Sequence, residues 1–215
     1  MKIFLDTGDV DAVRKAAETG LLDGVTTNPS HIARTGRKFT EVVKEMCRIV
    51  SGPVSAEVLS ETAEEMIAEA QDLAALAPNV VVKIPMTVEG LKAVPVLEEE
   101  KDIQTNVTMI FSSTQAFLAM KAGASFVSIV LSRLDAIANE SDVLIGDAAT
   151  IRDTYGFTSE IIGGSMKTQN HVLGCLRAGI DIVTIGPDLF FQLFQHPLTD
   201  AGLAQFAKDW QDASK

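Results

Sequence analysis

The sequence predicts a (β/α)8 barrel, the TIM-barrel architecture, carrying a C-terminal helical arm. Three observations carry that prediction. Short β-branched runs alternate with stretches of helical periodicity along the whole chain. Eight such runs fit within 215 residues, near the lower size of this fold. The runs are rich in Val and Ile without strict polar alternation, as strands covered on both faces of a parallel sheet are. A doubly wound open sheet is the competitor. Its Gly-rich phosphate turn is missing from the first turn, LDTGDVDAV.

The strands are expected in order at KIFLD (2–6), GVTTN (24–28), VSAEV (54–58), VVVKIP (80–85), QTNVT (104–108), SFVSIV (125–130), EIIGGS (160–165) and DIVTIG (181–186). Amphipathic helices are expected between them, among others at 41–50, 62–77, 113–123 and 169–179, with Gly123 and Gly179 as C-caps. Pro95 is expected to kink the helix it interrupts, and the run Glu98-Glu99-Glu100 reads as a solvated helix end. A last helix spans about 198–213, with Leu203, Phe206, Ala207 and Trp210 on one stripe. It either closes the barrel wall or packs as an arm on a neighbouring subunit. No linker or shift in composition divides the chain, so 1–215 reads as one domain.

Composition excludes several classes of function. With 18 Lys+Arg against 29 Asp+Glu the formal net charge is −11, and no Lys/Arg cluster offers a nucleic-acid surface. No apolar stretch is long enough to span a bilayer, and the N-terminus lacks an apolar signal region, so a cytoplasmic, soluble protein is expected. Cys47 and Cys175 are far apart and read as small core residues rather than as a disulfide or metal pair. His31, His171 and His196 show no metal-ligand spacing and are expected in surface or packing roles.

Barrel enzymes gather their chemistry at the C-terminal strand ends. Those ends carry polar residues that a hydrophobic core does not need: Asp6, Asn28, Glu57, Lys83, Asn106, Thr108, Ser128 and Ser165. Lys83 is the sharpest case. It sits within Val80-Val81-Val82-Lys83-Ile84-Pro85, on the same strand face as Val81. Lysine is rarely buried, and a buried amine is a nucleophile suited to forming a Schiff base with a carbonyl. The alternative is a structural ion pair with Glu57 or Asp6. Those two carboxylates are candidates for the proton transfers a Schiff-base enzyme needs, and Thr108 can hold a water beside Glu57. Asn28, Asn106 and Ser128 have donors and acceptors for substrate hydroxyls. Arg133 follows the sixth run and Ser165 and Lys167 follow the seventh, and barrels often hold phosphate near the loops after strands 7 and 8. Taken alone, Arg133 also reads as a surface partner of Asp135.

These residues give the chain a family likeness. It resembles the small bacterial and archaeal transaldolases, including the fructose-6-phosphate aldolase group. The matching segments run in order: FLDT (4–7), LLDGVTTNPS (21–30), GPVSAEV (52–58), VVVKIPMT-EGLKAV (80–94), TNVT (105–108), AGASFVS (122–128), SRLD (132–135) and HPLTDAGLAQF-KDW (196–210). The resemblance implies a class I aldolase-type barrel with Lys83 as the Schiff-base lysine, Asp6 as acid/base at the C4 hydroxyl, and Glu57 with Thr108 holding the catalytic water. It implies that Asn28, Asn106 and Ser128 bind the dihydroxyacetone portion, and that Arg133, Ser165 and Lys167 bind a sugar phosphate or a similarly anionic sugar. It also implies a homo-oligomer, commonly a decamer of two pentameric rings, with the C-terminal helix reaching a neighbour. No metal or organic cofactor is required by such chemistry.

The departures cluster away from the lysine. Val130 stands where the family has Phe or Tyr, Ser165-Met166-Lys167 replaces the usual Ser-x-Arg, and GPDLFF (186–191) differs from the common loop after the eighth strand. Glu57 and Asn106-Val107-Thr108 resemble transaldolases more than the aldolase group, which favours transfer of a dihydroxyacetone unit over simple cleavage. Cleavage, a sulfonated or otherwise anionic donor, and a catalytically silent sugar-phosphate binder remain the rival expectations.

Overall fold

Eight parallel strands close into a barrel in chain order, β1 pairing with β8, in the computed structural model of the chain, which describes residues 1–214. The strands are β1 (Lys2–Asp6), β2 (Gly24–Thr26), β3 (Val54–Glu57), β4 (Val80–Pro85), β5 (Thr105–Ile110), β6 (Phe126–Val130), β7 (Glu160–Met166) and β8 (Ile182–Ile185). Each falls on one of the eight runs expected from sequence. Between the first five strands lie α1 (Val10–Ala17), α2 (Pro29–Ala33), α3 (Phe39–Ile49), α4 (Ala63–Ala74) and α5 (Val88–Pro95). They are followed by α6 (Ser113–Lys121), α7 (Leu131–Asp135), α8 (Ser141–Tyr155), α9 (Gln169–Ala178), α10 (Pro187–Gln192) and α11 (Pro197–Ala213). The short helices α2 and α7 are additions to the simple alternation, and both lie at the C-terminal ends of strands.

Local chemistry sets the helix starts. Asp9, Thr62, Thr87, Ser112 and Thr168 each turn a side-chain oxygen onto a first-turn backbone N–H of the helix that follows. Gly179 caps α9 in the left-handed conformation, and Gly123 takes the same region just past α6, as their sequence positions foretold. Pro95 does not stop its helix. The chain runs on through a π-helical turn, Val96–Glu100, directly after it.

The helices bury their apolar stripes against the outside of the sheet, and a smaller cluster fills the barrel itself. Phe4, Val81, Phe126, Ile162 and Ile182 form that inner plug. Phe4 fits because β2 begins with Gly24, where a Cβ would lie 2.7 Å from the Phe4 ring. Val81 in the plug puts Lys83, two residues further on, at the next lumen position.

Glu98 corrects the expectation of a solvated acidic run. Its carboxylate accepts from the N–H and hydroxyl of Thr105, at 2.7 and 2.6 Å, and from those of Ser125, at 2.7 and 2.8 Å. One side chain thus ties the start of β5 to the start of β6, and only Glu99 and Glu100 are exposed. The reading of α11 as a wall helix also fails. The shorter α10 packs against α1 and β1 and completes the ring, whereas α11 buries none of its residues. Its stripe stands open, with Leu203 62%, Phe206 70% and Trp210 77% exposed.

Candidate active site

Several hydrogen bonds in the barrel skip a strand, which is possible only across the lumen. Asn106 on β5 donates from Nδ2 to Ser55 Oγ on β3 at 3.1 Å, passing over β4. Ser128 on β6 donates to Asn106 Oδ1 at 2.7 Å. On the opposite side Thr26 on β2 and Thr184 on β8 pair their hydroxyls at 2.6 Å across β1. Thr26 also donates to Asp6 Oδ1 at 3.0 Å. Because an ionised carboxylate only accepts, the Thr26 hydrogen points to Asp6 and Thr184 must donate to Thr26. Two polar chains, Ser128–Asn106–Ser55 and Thr184–Thr26–Asp6, therefore line opposite walls above the apolar plug.

Lys83 lies between them. Its residue is 9% exposed, and Nζ sits 3.2 Å from Glu57 Oε2 and 3.3 Å from the carbonyl oxygen of Thr27. The strand register puts Glu57, Lys83 and Asn106 side by side on β3, β4 and β5. The ion-pair alternative for Lys83 is thus present as geometry. It is not a closed structural pair, because Glu57 keeps 18% of its side chain open at the mouth. Thr108, 4% exposed, lies two residues beyond Asn106 on the same strand face, without a direct hydrogen bond to Glu57.

Asp6 is the carboxylate of the opposite wall. Burial pushes its carboxyl up, but His31, the Lys83 ammonium and the Thr26 hydroxyl pull it down, and the net position is below the ordinary carboxylate range. Its Oδ2 is 3.6 Å from His31 Nε2. This corrects the expectation that the histidines are confined to surface and packing roles. The α2 helix that follows β2 carries His31 over the mouth, capped by Asn28, whose Oδ1 accepts from the His31 N–H at 2.9 Å. Capping commits the carbonyl of Asn28 and leaves its NH2 donors free for a ligand.

Of the residues expected to bind an anion, Arg133 lies on α7 directly after β6, Ser165 near the end of β7 and Lys167 just past it. Register shifts in both ladders that flank the site produce bulges, with Met109 at φ +63° and Ser165 at φ +56°. Ser165 shares a hydrogen bond of 2.8 Å with Ser132 of α7. Arg133 does not pair with Asp135, as its sequence proximity suggested. Among the described residues it makes no ion pair, and its Nη1 lies 3.8 Å from Met109 Sδ. Asp135 instead faces His171 Nε2 at 2.8 Å, and His171 Nδ1 accepts from the Lys167 backbone N–H at 3.0 Å. That clamp joins α7 to the loop after β7 and leaves the Lys167 side chain exposed beside the mouth. Val130 ends β6 half-buried, with no ring in its place. Among the described residues no group of three or more His, Cys, Asp or Glu converges as a metal site, and no helix is long and apolar enough to cross a membrane.

Sequence reading identified Asp6, Glu57, Lys83, Asn106 and Ser128 at the lumen but missed Thr26, Ser55, Thr184 and His31. The first three carried a usable signal: they lie two residues before Asn28, Glu57 and Gly186, on the same face, in the runs expected as strands. His31 carried none, because its place depends on how α2 folds back over the barrel.

Comparison with known proteins agrees with this architecture. Residues 3–215 match the Transaldolase/Fructose-6-phosphate aldolase family. A probable transaldolase of Geobacter metallireducens is 53% identical over 215 residues, covering all of both chains. Probable transaldolase 1 of Listeria monocytogenes is 51% identical with the same coverage. A probable transaldolase of Lactiplantibacillus plantarum is 53% identical over 98% of this chain and 97% of its own. Orotidine 5'-monophosphate decarboxylase of Methanocaldococcus jannaschii superposes with a TM-score of 0.58 at 14% identity, covering 86% of this chain and 87% of that one, a likeness of fold alone. A closed eight-stranded barrel matched nearly end to end by these relatives makes the chain an aldolase-type enzyme that belongs to the transaldolase/fructose-6-phosphate aldolase family.

Proposed function

We propose that the protein is a transaldolase that binds a ketose phosphate as a Schiff base on Lys83 and transfers its dihydroxyacetone unit to an aldehyde. The observation that carries this reading is the placement of Lys83 in the barrel lumen, only 9% exposed, 3.2 Å from Glu57 and flanked by two polar walls.

Glu57 takes a proton from Nζ, and the freed amine attacks the C2 carbonyl of the donor. The resulting carbinolamine loses water once its hydroxyl is protonated, a role for Glu57 through a water held near Thr108. Asp6 then accepts the C4 hydroxyl proton, and the C3–C4 bonding electrons move into the iminium, leaving an enamine on Lys83 and a free aldehyde. When the acceptor aldehyde enters, the enamine attacks it and Asp6 returns its proton to the new alkoxide. Hydrolysis of the iminium releases product and restores the amine. Asn106, Ser128 and Asn28 hold the dihydroxyacetone hydroxyls, while Arg133, Lys167 and Ser165 receive the anionic end. Turnover of fructose 6-phosphate that depends on erythrose 4-phosphate, and is lost in Lys83→Ala, is the expected result. Turnover that persists in that variant would refute it.

A second reading rests on Val130 and the anion corner. Val130 is a small side chain where the family resemblance leads one to expect Phe or Tyr, and Arg133 meets a thioether rather than a carboxylate. This favours either release of free dihydroxyacetone or a donor with another anionic end, such as a sulfonated ketose. Comparing cleavage with and without acceptor, and phosphate with sulfonate donors, separates the cases. The open stripe of α11 further supports a homo-oligomer of the ring-based kind, in which Leu203, Phe206 and Trp210 cover a neighbour. Phe206→Asp would then shift the mass in solution toward the monomer.

A further inference from the structure

His31 reaches the mouth because the backbone lets α2 sit directly on the loop after Asp6. A Cβ at Gly8 would meet the carbonyl oxygen of His31 at 2.5 Å, so only glycine permits that approach. The side chain is held from both sides. Arg34 Nη2 lies 2.6 Å from His31 Nδ1, and Nε2 faces Asp6 Oδ2 at 3.6 Å, with the His31 side chain 25% and the Asp6 side chain 22% exposed.

The Arg34 contact fixes the tautomer. A guanidinium has donors and no acceptor, so Nδ1 must present its lone pair and the ring hydrogen must be on Nε2. That hydrogen is aimed at the Asp6 oxygen that Thr26 does not use. At 3.6 Å the contact is too long for a hydrogen bond, but such contacts in free enzymes commonly shorten when substrate fills the site.

Resting on the Schiff-base reading above, we infer that His31 is a positioning residue for Asp6, held by Arg34 as an Nε2–H donor that orients the carboxylate and keeps it ionised to accept the C4 hydroxyl proton. Thr26 supplies the matching donor to the other oxygen, so each carboxylate oxygen faces one side-chain donor. The charged and titratable groups facing this pair are Asp6 on β1, Arg34 at the end of α2 and Lys83 on β4, with Glu57 on β3 behind the lysine.

The test separates Asp6 from Lys83. Dihydroxyacetone has no C4, so borohydride trapping of it on the full-length protein reads imine formation without the step that needs Asp6. In His31→Leu, trapping should proceed as in the unmodified protein. Its kcat should fall on the order of tenfold to a hundredfold with KM little changed, as for a misplaced catalytic group. The acid limb of its kcat profile should move to higher pH, because burial of Asp6 is then opposed by fewer donors. His31→Gln places an amide N–H close to the position of Nε2–H and should recover most of the rate and the limb. Arg34→Met, which frees Nδ1, should give a smaller loss in the same direction. An unmoved acid limb in His31→Leu, or a His31→Gln as impaired as His31→Leu, overturns the inference while leaving the lysine chemistry standing. Absence of any adduct on the unmodified protein overturns the Schiff-base reading, and this inference with it.

Discussion

Glu98 and Glu57 are both half-buried carboxylates set against strand ends, one at each face of the barrel. Glu98, at the N-terminal face, accepts four hydrogen bonds, two of them from backbone N–H groups. Asp23 and Asp181 work in the same way, receiving the N–H groups of Ile3 and Ile161 at 2.7 and 2.8 Å. At the C-terminal face Glu57 and Asp6 meet only side chains: Lys83, Thr26 and His31. A carboxylate saturated by the backbone is fixed and chemically silent. One held by side chains can exchange a proton without dismantling the sheet. The same residue type thus stabilises at one face and is free to react at the other, in line with the division of labour in barrels of this kind.

The comparison breaks most visibly at Lys83. Lys83→Met should lower kcat by on the order of 10^4 or more. It should shift Tm by only a few degrees, because the backbone group that loses a partner is the Thr27 carbonyl alone, which Nζ approaches at 3.3 Å. Activity assays and a thermal melt on one sample check both halves. Glu98→Ala should do the reverse. Leaving the N–H groups of Thr105 and Ser125 without acceptors should cost about 3 kcal/mol, and Tm should drop by roughly 6–12 °C, with kcat at 25 °C unchanged. Glu98→Gln, which keeps one good acceptor, should fall between.

Acid pH sharpens the contrast more gently. The Asp6 carboxyl lies lower in the folded protein than in the unfolded chain. Its contribution to stability is therefore present above about pH 4 and fades as pH falls through the lower folded value. Asp6→Asn should remove that part of the acid-side slope in Tm, measurable between pH 6 and pH 3. The smallest effect concerns the outer helices. Burial pushes the Cys47 thiol up to about 11 and, with Asp142 nearby, the Cys175 thiol up to about 12. Iodoacetamide at pH 7.5 should leave both unlabelled in the folded protein and label both in urea.

Much of this arrangement was legible in the sequence. Hydrophobic runs such as VVVKIP announce a strand buried on both faces, and a lysine inside one is conspicuous whatever surrounds it. Polar strand ends announced Asp6, Glu57 and Asn106 for the same reason. Glu98 was misread because its charge neighbours, Glu99 and Glu100, are local, whereas its partners lie on two strands that only the fold brings together. His31 was misread for a related reason: nothing in TTNPSHI says that a short helix will turn its third residue toward the first strand. The C-terminal stripe was seen, but which surface it leaves open became clear only when α10 was found to finish the wall. Short-range pattern reports what is buried; which buried groups meet is a property of the closed barrel.

The central claim concerns one nitrogen atom. Reduction of the protein with borohydride in the presence of fructose 6-phosphate, followed by peptide mass mapping, tests it most directly. The account predicts a reduced dihydroxyacetone adduct on the peptide carrying Lys83 and on no other lysine. An adduct elsewhere, or none during active turnover, would contradict it.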